Sequence, residues 1–296
     1  MKYILPLILI VSCSTTKENV LRDRKESSLD NSFKKETAYS NSSIQDYYDN
    51  QLKTLNPALQ DETIDRYNLS ELSNIKSVSD PLLEISVKCR KNDYEAAFST
   101  ASLNFNRYQK VAAYWNQIAN CHLMKGSFRK ALLFYNKALE VSPNYVPALN
   151  NIGVMYSRQG LDQKALVAFE RAYKQSKFTK TPRYNLARLY LTYGLVEAAV
   201  PIFQSLLNNS PNDVDILNAL ATAFFIQSDF QKAILYYKKI PQREWANPEI
   251  GLNISLVLKK SGKLEDAKKV FKMVRYPINE NLKKYYASVK AQIGDA

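Results

Sequence analysis

A period of 34 residues constrains this chain more than any other feature of its sequence. Copies that begin at residues 112, 146, 180, 214 and 248 follow one another without insertion. Position 20 of the copy is always alanine: Ala131, Ala165, Ala199, Ala233 and Ala267. Position 24 is always aromatic: Tyr135, Phe169, Phe203, Tyr237 and Phe271. Such repetition indicates that one structural unit is built several times and stacked on itself.

The spacing within each copy predicts two antiparallel helices. Positions 4, 7 and 11 form an apolar stripe at helical spacing, and positions 20, 24 and 27 form the facing stripe. Small residues occupy position 8, and glycine occupies position 15 in four of the five copies, as the turn between two helices requires. Because one helix pair cannot cover its own stripe, neighbouring pairs must share a core. The sequence therefore predicts an all-α solenoid of helical hairpins.

This pattern resembles the tetratricopeptide repeat, which has the same period and the consensus W-L-G-Y-A-F-A-P at these positions. The resemblance implies five units over residues 112–281 and a right-handed superhelix with a concave inner face. A degenerate copy fits residues 78–111, where Asn92 takes position 15 and Ala97 takes position 20. Residues 282–296 begin one more first helix, whose lysines suit a solvent-facing capping helix.

Three residues depart from the pattern. Arg183 and Gly251 replace the large side chain of position 4, and Trp245 takes position 32, where two other copies have proline. These departures predict a distorted junction near residues 241–251. Trp245 is expected to fill the core between two repeats, or else to be exposed there.

The N-terminus resembles a bacterial lipoprotein signal. An apolar run over residues 3–11 is far shorter than the roughly 20 residues that span a bilayer. The sequence Ile10-Val11-Ser12-Cys13 that closes it resembles the lipobox. The resemblance implies that residues 1–12 are removed as a signal peptide and that Cys13 receives lipid, including palmitate. Ser14 after the cysteine resembles the signal for the outer membrane, on its periplasmic face. The alternative is an apolar N-terminus with a chance cysteine.

A polar stretch separates this N-terminus from the repeats. Residues 13–46 are rich in Ser, Thr, Asn and paired charges, with few large apolar residues. This composition buries too little surface to offset the entropy of ordering, so we expect a disordered tether. Residues 47–77 contain short apolar segments on either side of Pro57, which predict short helices.

In the family that the chain resembles, ligands lie in the groove lined by the first helices. The corresponding polar and aromatic residues here are Asn116, Asn120, Asn150, Asn151, Arg158, Tyr184, Asn185, Arg188, Asn218, Phe225 and Asn253. A ladder of asparagines can pair with an extended peptide backbone, and Arg158 and Arg188 can hold a carboxylate. The alternative is that the asparagines bond to neighbouring helices.

Reactive side chains are few. The single histidine, His122, takes a position where the family has a buried tyrosine, which predicts a packed core residue. No nucleophile–histidine–acid set, carboxylate pair or phosphate loop is present, so we expect no enzyme activity, metal or cofactor. Cys89 and Cys121 lie in neighbouring copies and are expected to be buried thiols. Pairing is the alternative in an oxidising compartment, if their Cα atoms lie within about 7 Å.

The net charge of +13 arises in the repeats, because residues 78–296 carry 31 basic and 17 acidic side chains. A basic surface favours acidic partners in general, and we expect no nucleic acid. A run of lysines between Lys259 and Lys284 is expected to be a solvated helical face. Contact with an anionic envelope polymer is the alternative.

Together these features predict a membrane-anchored scaffold of the cell envelope that binds protein or peptide partners in its groove. Assembly of a gliding or type IV pilus complex, or another envelope-biogenesis complex, would suit such a scaffold. The alternative is a cytosolic co-chaperone or secretion chaperone that carries no lipid.

Overall fold

A computed structural model describes residues 80–175, 179–278 and 280–294 of the chain. Cys13, the tether and residues 47–77 lie outside the described residues, so the predictions made for them stay predictions. The described residues contain helices and no strand, which confirms the all-α fold. They divide into two compact units, an N-terminal unit up to Pro182 and a C-terminal unit from Arg183.

The N-terminal unit is built from helices α1 to α7. They are α1 (Pro81–Arg90), α2 (Tyr94–Leu103), α3 (Phe105–Tyr108), α4 (Ala112–Met124), α5 (Phe128–Val141), α6 (Val146–Arg158) and α7 (Asp162–Gln175). The pairs α1–α2, α4–α5 and α6–α7 are hairpins. Their facing stripes share one buried core, which includes Ile118, Tyr135 and Ile152.

The C-terminal unit contains helices α8 to α14, of which α8 begins just before the boundary. They are α8 (Lys180–Thr192), α9 (Val196–Asn209), α10 (Val214–Ile226), α11 (Phe230–Lys238), α12 (Pro248–Lys260), α13 (Leu264–Met273) and α14 (Glu280–Ile293). The pairs α8–α9, α10–α11 and α12–α13 are hairpins, and α14 covers the last one. Tyr285, Val289 and Ile293 of α14 are buried against Leu252 and Phe271, so the predicted C-terminal cap is confirmed.

Position 15 has the same backbone conformation in every hairpin. Its φ angle is positive at Asn92 (61°), Gly126 (77°), Gly160 (71°), Gly194 (72°), Ser228 (63°) and Gly262 (82°). The next residue donates its N–H to the carbonyl at position 11 over 2.8–2.9 Å each time, as Ser127 does to His122. The acceptor is one of the carbonyls that have no partner within the first helix, at its C-terminal end. The turn between the two helices is therefore fixed by local backbone bonding.

A disulfide joins the first two hairpins of the N-terminal unit. Cys89 of α1 and Cys121 of α4 are bonded, with their Cα atoms 5.2 Å apart. The expectation of two buried thiols was therefore wrong. Its physical reason is that helix packing brings positions 12 and 10 of adjacent copies within disulfide reach.

His122 is confirmed as a core residue. Its ring stacks between Phe98 (centroid distance 4.5 Å) and Phe134 (5.2 Å). Desolvation, together with the charges of Lys130 and Lys125, lowers the pKa of the imidazole below its usual value. Burial between these rings therefore favours the neutral imidazole over the charged form.

The junction before α12 is distorted, as the sequence predicted. Helix α11 has nine residues, whereas α5, α7 and α9 have 14 each. A 3₁₀ helix over Gln242–Ala246 follows it. Trp245 is half-buried there and donates its indole N–H to the Ile240 carbonyl (3.2 Å).

The other departure, Arg183, is buried near the start of α8. Its guanidinium donates to the Ser205 hydroxyl of α9 at 2.7 Å, while its Nε has no hydrogen-bond partner among the described residues. The arginine thus takes the place of the large apolar residue by bonding across its own hairpin.

Candidate functional site

The asparagines on the first helices of the N-terminal unit form a buried hydrogen-bond network. Asn120 accepts from the Tyr135 hydroxyl at 2.7 Å and from the Asn151 amide at 3.0 Å. Asn151 also donates to Asn116 (3.2 Å) and accepts from Asn150 (3.2 Å). All four asparagines are at most 4% exposed. The network therefore links α4, α5 and α6.

A second network of the same kind lies in the C-terminal unit. The Tyr237 hydroxyl of α11 lies 3.2 Å from the Thr222 hydroxyl of α10 and is also bonded to Asn253 of α12. Tyr285 of α14 donates to the same Asn253 (2.8 Å). Burial raises the pKa of both phenols well above the usual range. These contacts connect four helices through one buried asparagine.

The two networks follow one rule in the repeat numbering. A tyrosine at position 24 meets a polar residue at position 9 of its own copy, and an asparagine at position 6 of the next copy bonds to one of these two residues. Where position 24 is Phe169, position 9 is Val154. A buried hydroxyl needs a partner, which the polar residues supply to Tyr135 and Tyr237. Polar residues also occupy these positions beside phenylalanine, as Asn185 and Arg188 do.

The structure thus places the asparagines differently from a ladder open to a peptide backbone. Asn116, Asn120, Asn151 and Asn253 bond to side chains of neighbouring helices, which is the alternative that the sequence left open. Asn150 donates to Asn151 on its own helix. Asn185 is also buried, at 3% exposure. Packing of successive first helices encloses these side chains, because each copy covers the inner positions of the one before it.

The remaining candidates are partly accessible, and four of them lie in the C-terminal unit. Tyr184 packs edge-on against Phe203 (centroid distance 5.7 Å) and Phe225 lies against Phe230 (5.8 Å), so both keep part of their rings open. Arg188 is half-buried. Asn218 Oδ1 is shielded from solvent and accepts no hydrogen bond among the described residues.

Two acidic residues that the sequence analysis did not single out lie near Arg188. Desolvation, followed by the charge of Asp215, raises the pKa of Glu249, and the Arg188 guanidinium partly opposes this rise. Asp215 and Glu249 both take position 2 of successive copies, and an acid at that position was the signal available in the sequence. This face therefore carries charges of both signs beside aromatic rings.

Arg158 was expected to hold a carboxylate together with Arg188. It is the last residue of α6, in the N-terminal unit, and is half-buried. Arg188 belongs to the C-terminal unit. The two arginines therefore belong to separate compact units.

The lysine-rich surface near the C-terminus consists largely of exposed side chains. Several of them form short-range pairs along one helix, such as Lys269 with Asp266 (3.8 Å) and Lys283 with Glu280 (2.6 Å). Such exposed pairs contribute little to stability. This arrangement is the solvated face that the sequence predicted.

The described part of the chain offers neither a membrane span nor a metal centre. None of its helices is both long and apolar enough to cross a bilayer. The same residues bring together no group of three or more His, Cys, Asp and Glu side chains that would hold a metal ion.

Comparison with known proteins decides what the repeated hairpins are. Sequence models of the family described as tetratricopeptide repeat match residues 112–145, 134–167 and 184–248. The chain contains tetratricopeptide repeats. Such repeats bind protein or peptide partners. The matches cover the helices of the first asparagine network, and α10 and α11 of the second.

Proteins of several kinds are similar in sequence to this chain. Tetratricopeptide repeat protein 8 of Caenorhabditis elegans is 24% identical over 144 residues, which are 48% of this chain and 28% of that protein. The chain spans from 16% to 38% of the length of the curated relatives it matches.

Solved structures share the fold at low sequence identity. The Cut9–Hcn1 hetero-tetramer of the APC/C aligns with a TM-score of 0.59 and 16% identity, covering 85% of this chain and 54% of that one. PilW, described as a widely conserved type IV pilus biogenesis factor, aligns with a TM-score of 0.57 and 16% identity, covering 69% and 96%. At this identity the likeness establishes the fold alone.

Proposed function

We propose that this protein is a lipid-anchored scaffold that holds partner proteins of the cell envelope on its tetratricopeptide repeats. The repeats supply the binding surface, and the lipobox-like sequence that ends at Cys13 supplies the anchor. Several acyl chains on one cysteine give durable anchoring, unlike a single chain. The outer membrane, on its periplasmic side, is the proposed location.

The structural observation that supports export is the disulfide between Cys89 and Cys121. Structural disulfides persist in the periplasm and other oxidising compartments, whereas the cytosol keeps such thiols reduced. The paired cysteines and the signal-like N-terminus are independent features of the chain, and both favour the same compartment.

Replacement of the lipid-bearing cysteine tests the anchor. In cells that express the full chain, Cys13→Ala is expected to abolish palmitate labelling and to move the protein out of the membrane fraction. A matched variant, Cys89→Ser with Cys121→Ser, is expected to keep both the label and the fractionation. Unchanged fractionation and mass in Cys13→Ala, with reduced Cys89 and Cys121 in cells, would instead favour the cytosolic chaperone.

The proposed partner-binding face is the accessible part of the C-terminal unit around Tyr184, Arg188 and Phe225. Its open aromatic rings and a cation are suited to a peptide that offers apolar side chains and a carboxylate. Within the same unit, Asn253 joins α12 to α11 through the Tyr237 hydroxyl.

Site-specific photo-crosslinking in native envelopes tests this face. A photoreactive phenylalanine analogue at Tyr184 is expected to capture a discrete protein partner. The same analogue at Leu133, which is 59% exposed on α5, is the control and should not yield that adduct. If both sites give the same adducts, or Tyr184 gives none, binding on this face is refuted.

A role in type IV pilus or gliding assembly is the finer proposal. Its support is the fold shared with PilW, together with the proposed envelope location. Deletion of the chain is expected to reduce surface pili or gliding speed, and the wild-type chain should restore it while Cys13→Ala does not. Normal motility after deletion would exclude this role and leave other envelope complexes.

A further inference from the structure

The junction between α11 and α12 contains an unusual local structure around Gly251 and Trp245. The 3₁₀ helix occupies the space that a side chain at position 251 would need, so glycine is required there. A Cβ at this position would overlap the Trp245 carbonyl oxygen and would lie 2.5 Å from Val274 Cγ2. The Arg275 N–H also donates to the Ala246 carbonyl at 3.0 Å. The segment that carries Trp245 is therefore held firmly against α12.

A cavity of about 330 Å³ lies beside this segment. Its apolar floor is formed by side chains of α11, α12 and α13 together with the indole, including Ile234, Trp245, Ile254, Val257 and Val270. This volume is at the lower end of the range for ligand pockets, which begins near 300 Å³. It is large enough for one bulky apolar side chain.

The rim of this junction cavity is mainly basic. Lys238, Lys263 and Lys269 line it, and the single acid there, Asp266, lies 3.8 Å from Lys269. Lys238 and Lys263 form no ion pair with other described residues and are exposed. The rim thus keeps an excess of positive charge, contributed by two helices and by the turn before α13.

We propose that the junction cavity is a second docking site, which takes an acidic segment of a partner protein. One large aliphatic or aromatic side chain of that segment enters the cavity over Trp245, and carboxylates on either side of it contact Lys238 and Lys263. A peptide fits this arrangement because the lysines stand apart around the apolar floor, so the ligand must present acids at more than one point.

The site is independent of the face around Tyr184. It is lined by the second helices α11 and α13 and by the later part of α12, where Ile254, Val257 and Leu258 lie. It also requires no lipid anchor. A failure of the proposed export or of the Tyr184 face would therefore leave this inference standing, and the reverse also holds.

Binding of a defined probe to the purified full chain tests the proposal. The probe is the labelled peptide Ac-Asp-Glu-Phe-Glu-Asp-NH2, with versions that carry Leu, Met or Ala in place of Phe. Fluorescence anisotropy is expected to show saturable binding for the Phe, Leu or Met peptides. The Ala peptide should bind roughly tenfold more weakly, because it leaves the apolar floor uncovered.

Charge reversal locates the site. Lys238→Glu with Lys263→Glu is expected to weaken binding of the Phe peptide by roughly tenfold or more. The matched control, Lys260→Glu with Lys272→Glu, changes the net charge equally at exposed lysines that do not line the cavity. It should bind within about twofold of the wild type.

A third readout reports on the floor itself. The chain has two tryptophans, so Trp115→Phe leaves Trp245 as the only tryptophan, whose emission is excited selectively over that of tyrosine. Binding of the Phe peptide is expected to shift the emission of Trp245, with the same midpoint concentration as in the anisotropy titration. Equal affinity for the Phe and Ala peptides, equal affinity of the two lysine double variants, or no binding of any peptide at millimolar concentration would overturn the proposal.

Discussion

At the residue scale, buried polar side chains decide how neighbouring helices meet. The hydroxyl of Tyr237 and the amide of Asn253 are enclosed, and each satisfies the other along with Thr222 and Tyr285. Leaving one member of such a network unpaired costs more than its bond contributes, because a desolvated polar atom stays without a partner. The networks therefore favour one relative placement of the helices that they join.

Removal of a single hydroxyl tests this network. Tyr237→Phe is expected to lower the free energy of unfolding by about 1–3 kcal/mol, because Thr222 and Asn253 lose a buried partner. Its neighbour Tyr236, which is half-buried and stacks on Phe224, provides the control. Tyr236→Phe should change stability by less than about 0.5 kcal/mol. Equal losses in chemical denaturation of the two variants would contradict the network.

The single histidine predicts a dependence of stability on pH. Because the folded state lowers the pKa of His122, the unfolded chain takes up its proton at a higher pH than the folded chain. The contribution of His122 to stability is therefore fully present above the pKa of the unfolded chain, about 6.5. It is lost as the pH falls through that pKa toward the lower pKa of the folded chain.

The measurement is a series of thermal melts between pH 5 and 8. The wild type is expected to lose melting temperature toward the acid end. His122→Phe, which keeps an aromatic ring between Phe98 and Phe134, should lose less over the same interval. Parallel profiles for the two proteins would show that His122 does not titrate as described.

At the element scale, each hairpin depends on one left-handed residue in its turn. The turn at Ser228 has φ 63°, and the corresponding turn at Gly194 has φ 72°. Side chains other than glycine adopt this conformation at a cost of roughly 1 kcal/mol. The sequence uses glycine in most copies for this reason, and Ser228 carries the strain in its own copy.

A reciprocal exchange tests this account. Ser228→Gly is expected to raise stability by several tenths of a kcal/mol up to about 1 kcal/mol, and Gly194→Ser to lower it by a similar amount. A Cβ at residue 194 would meet no atom within 4 Å, so backbone strain alone is measured there. Urea titrations give both values, and changes of the same sign would refute the explanation.

At the scale of the whole molecule, stability is distributed over two compact units. The N-terminal unit has its own buried core around Tyr135, and the C-terminal unit has cores around Phe203 and Tyr285. In a repeat array each helical hairpin contacts only the hairpins next to it, so the effect of a substitution extends over a short distance. The disulfide lies in the N-terminal unit and should act there.

Hydrogen exchange of the oxidised and reduced chain measures this locality. Reduction, or Cys89→Ser with Cys121→Ser, is expected to lower the free energy of unfolding by about 2–4 kcal/mol. The disulfide closes a loop between cysteines that are 32 positions apart. Exchange should quicken over α1 to α4, while peptides from α10 to α14 keep their rates. Tyr237→Phe should give the opposite pattern. Uniform change over the chain would mean that the units unfold together.

Much of the fold was predictable because it depends on local periodicity. The apolar stripes, together with glycine at position 15, predicted the helix pairs and turns of residues 112–281, and those pairs are present in the structure. The short helix α3 and the 3₁₀ helix before α12 were not predicted. The accessible part of the candidate site was less predictable. Tyr184 and Asn185 are adjacent in sequence, yet the first is half-buried and the second is enclosed.

The amino-acid sequence by itself determined the repeating hairpins, because helix propensity, apolar spacing and a left-handed turn act within a few residues. Only the tertiary structure decided which asparagines are enclosed, that Cys89 and Cys121 pair, and that a cavity opens beside Trp245. Each of these depends on distances between side chains of different hairpins. Such distances follow from how whole helices pack, which no single stretch of sequence specifies.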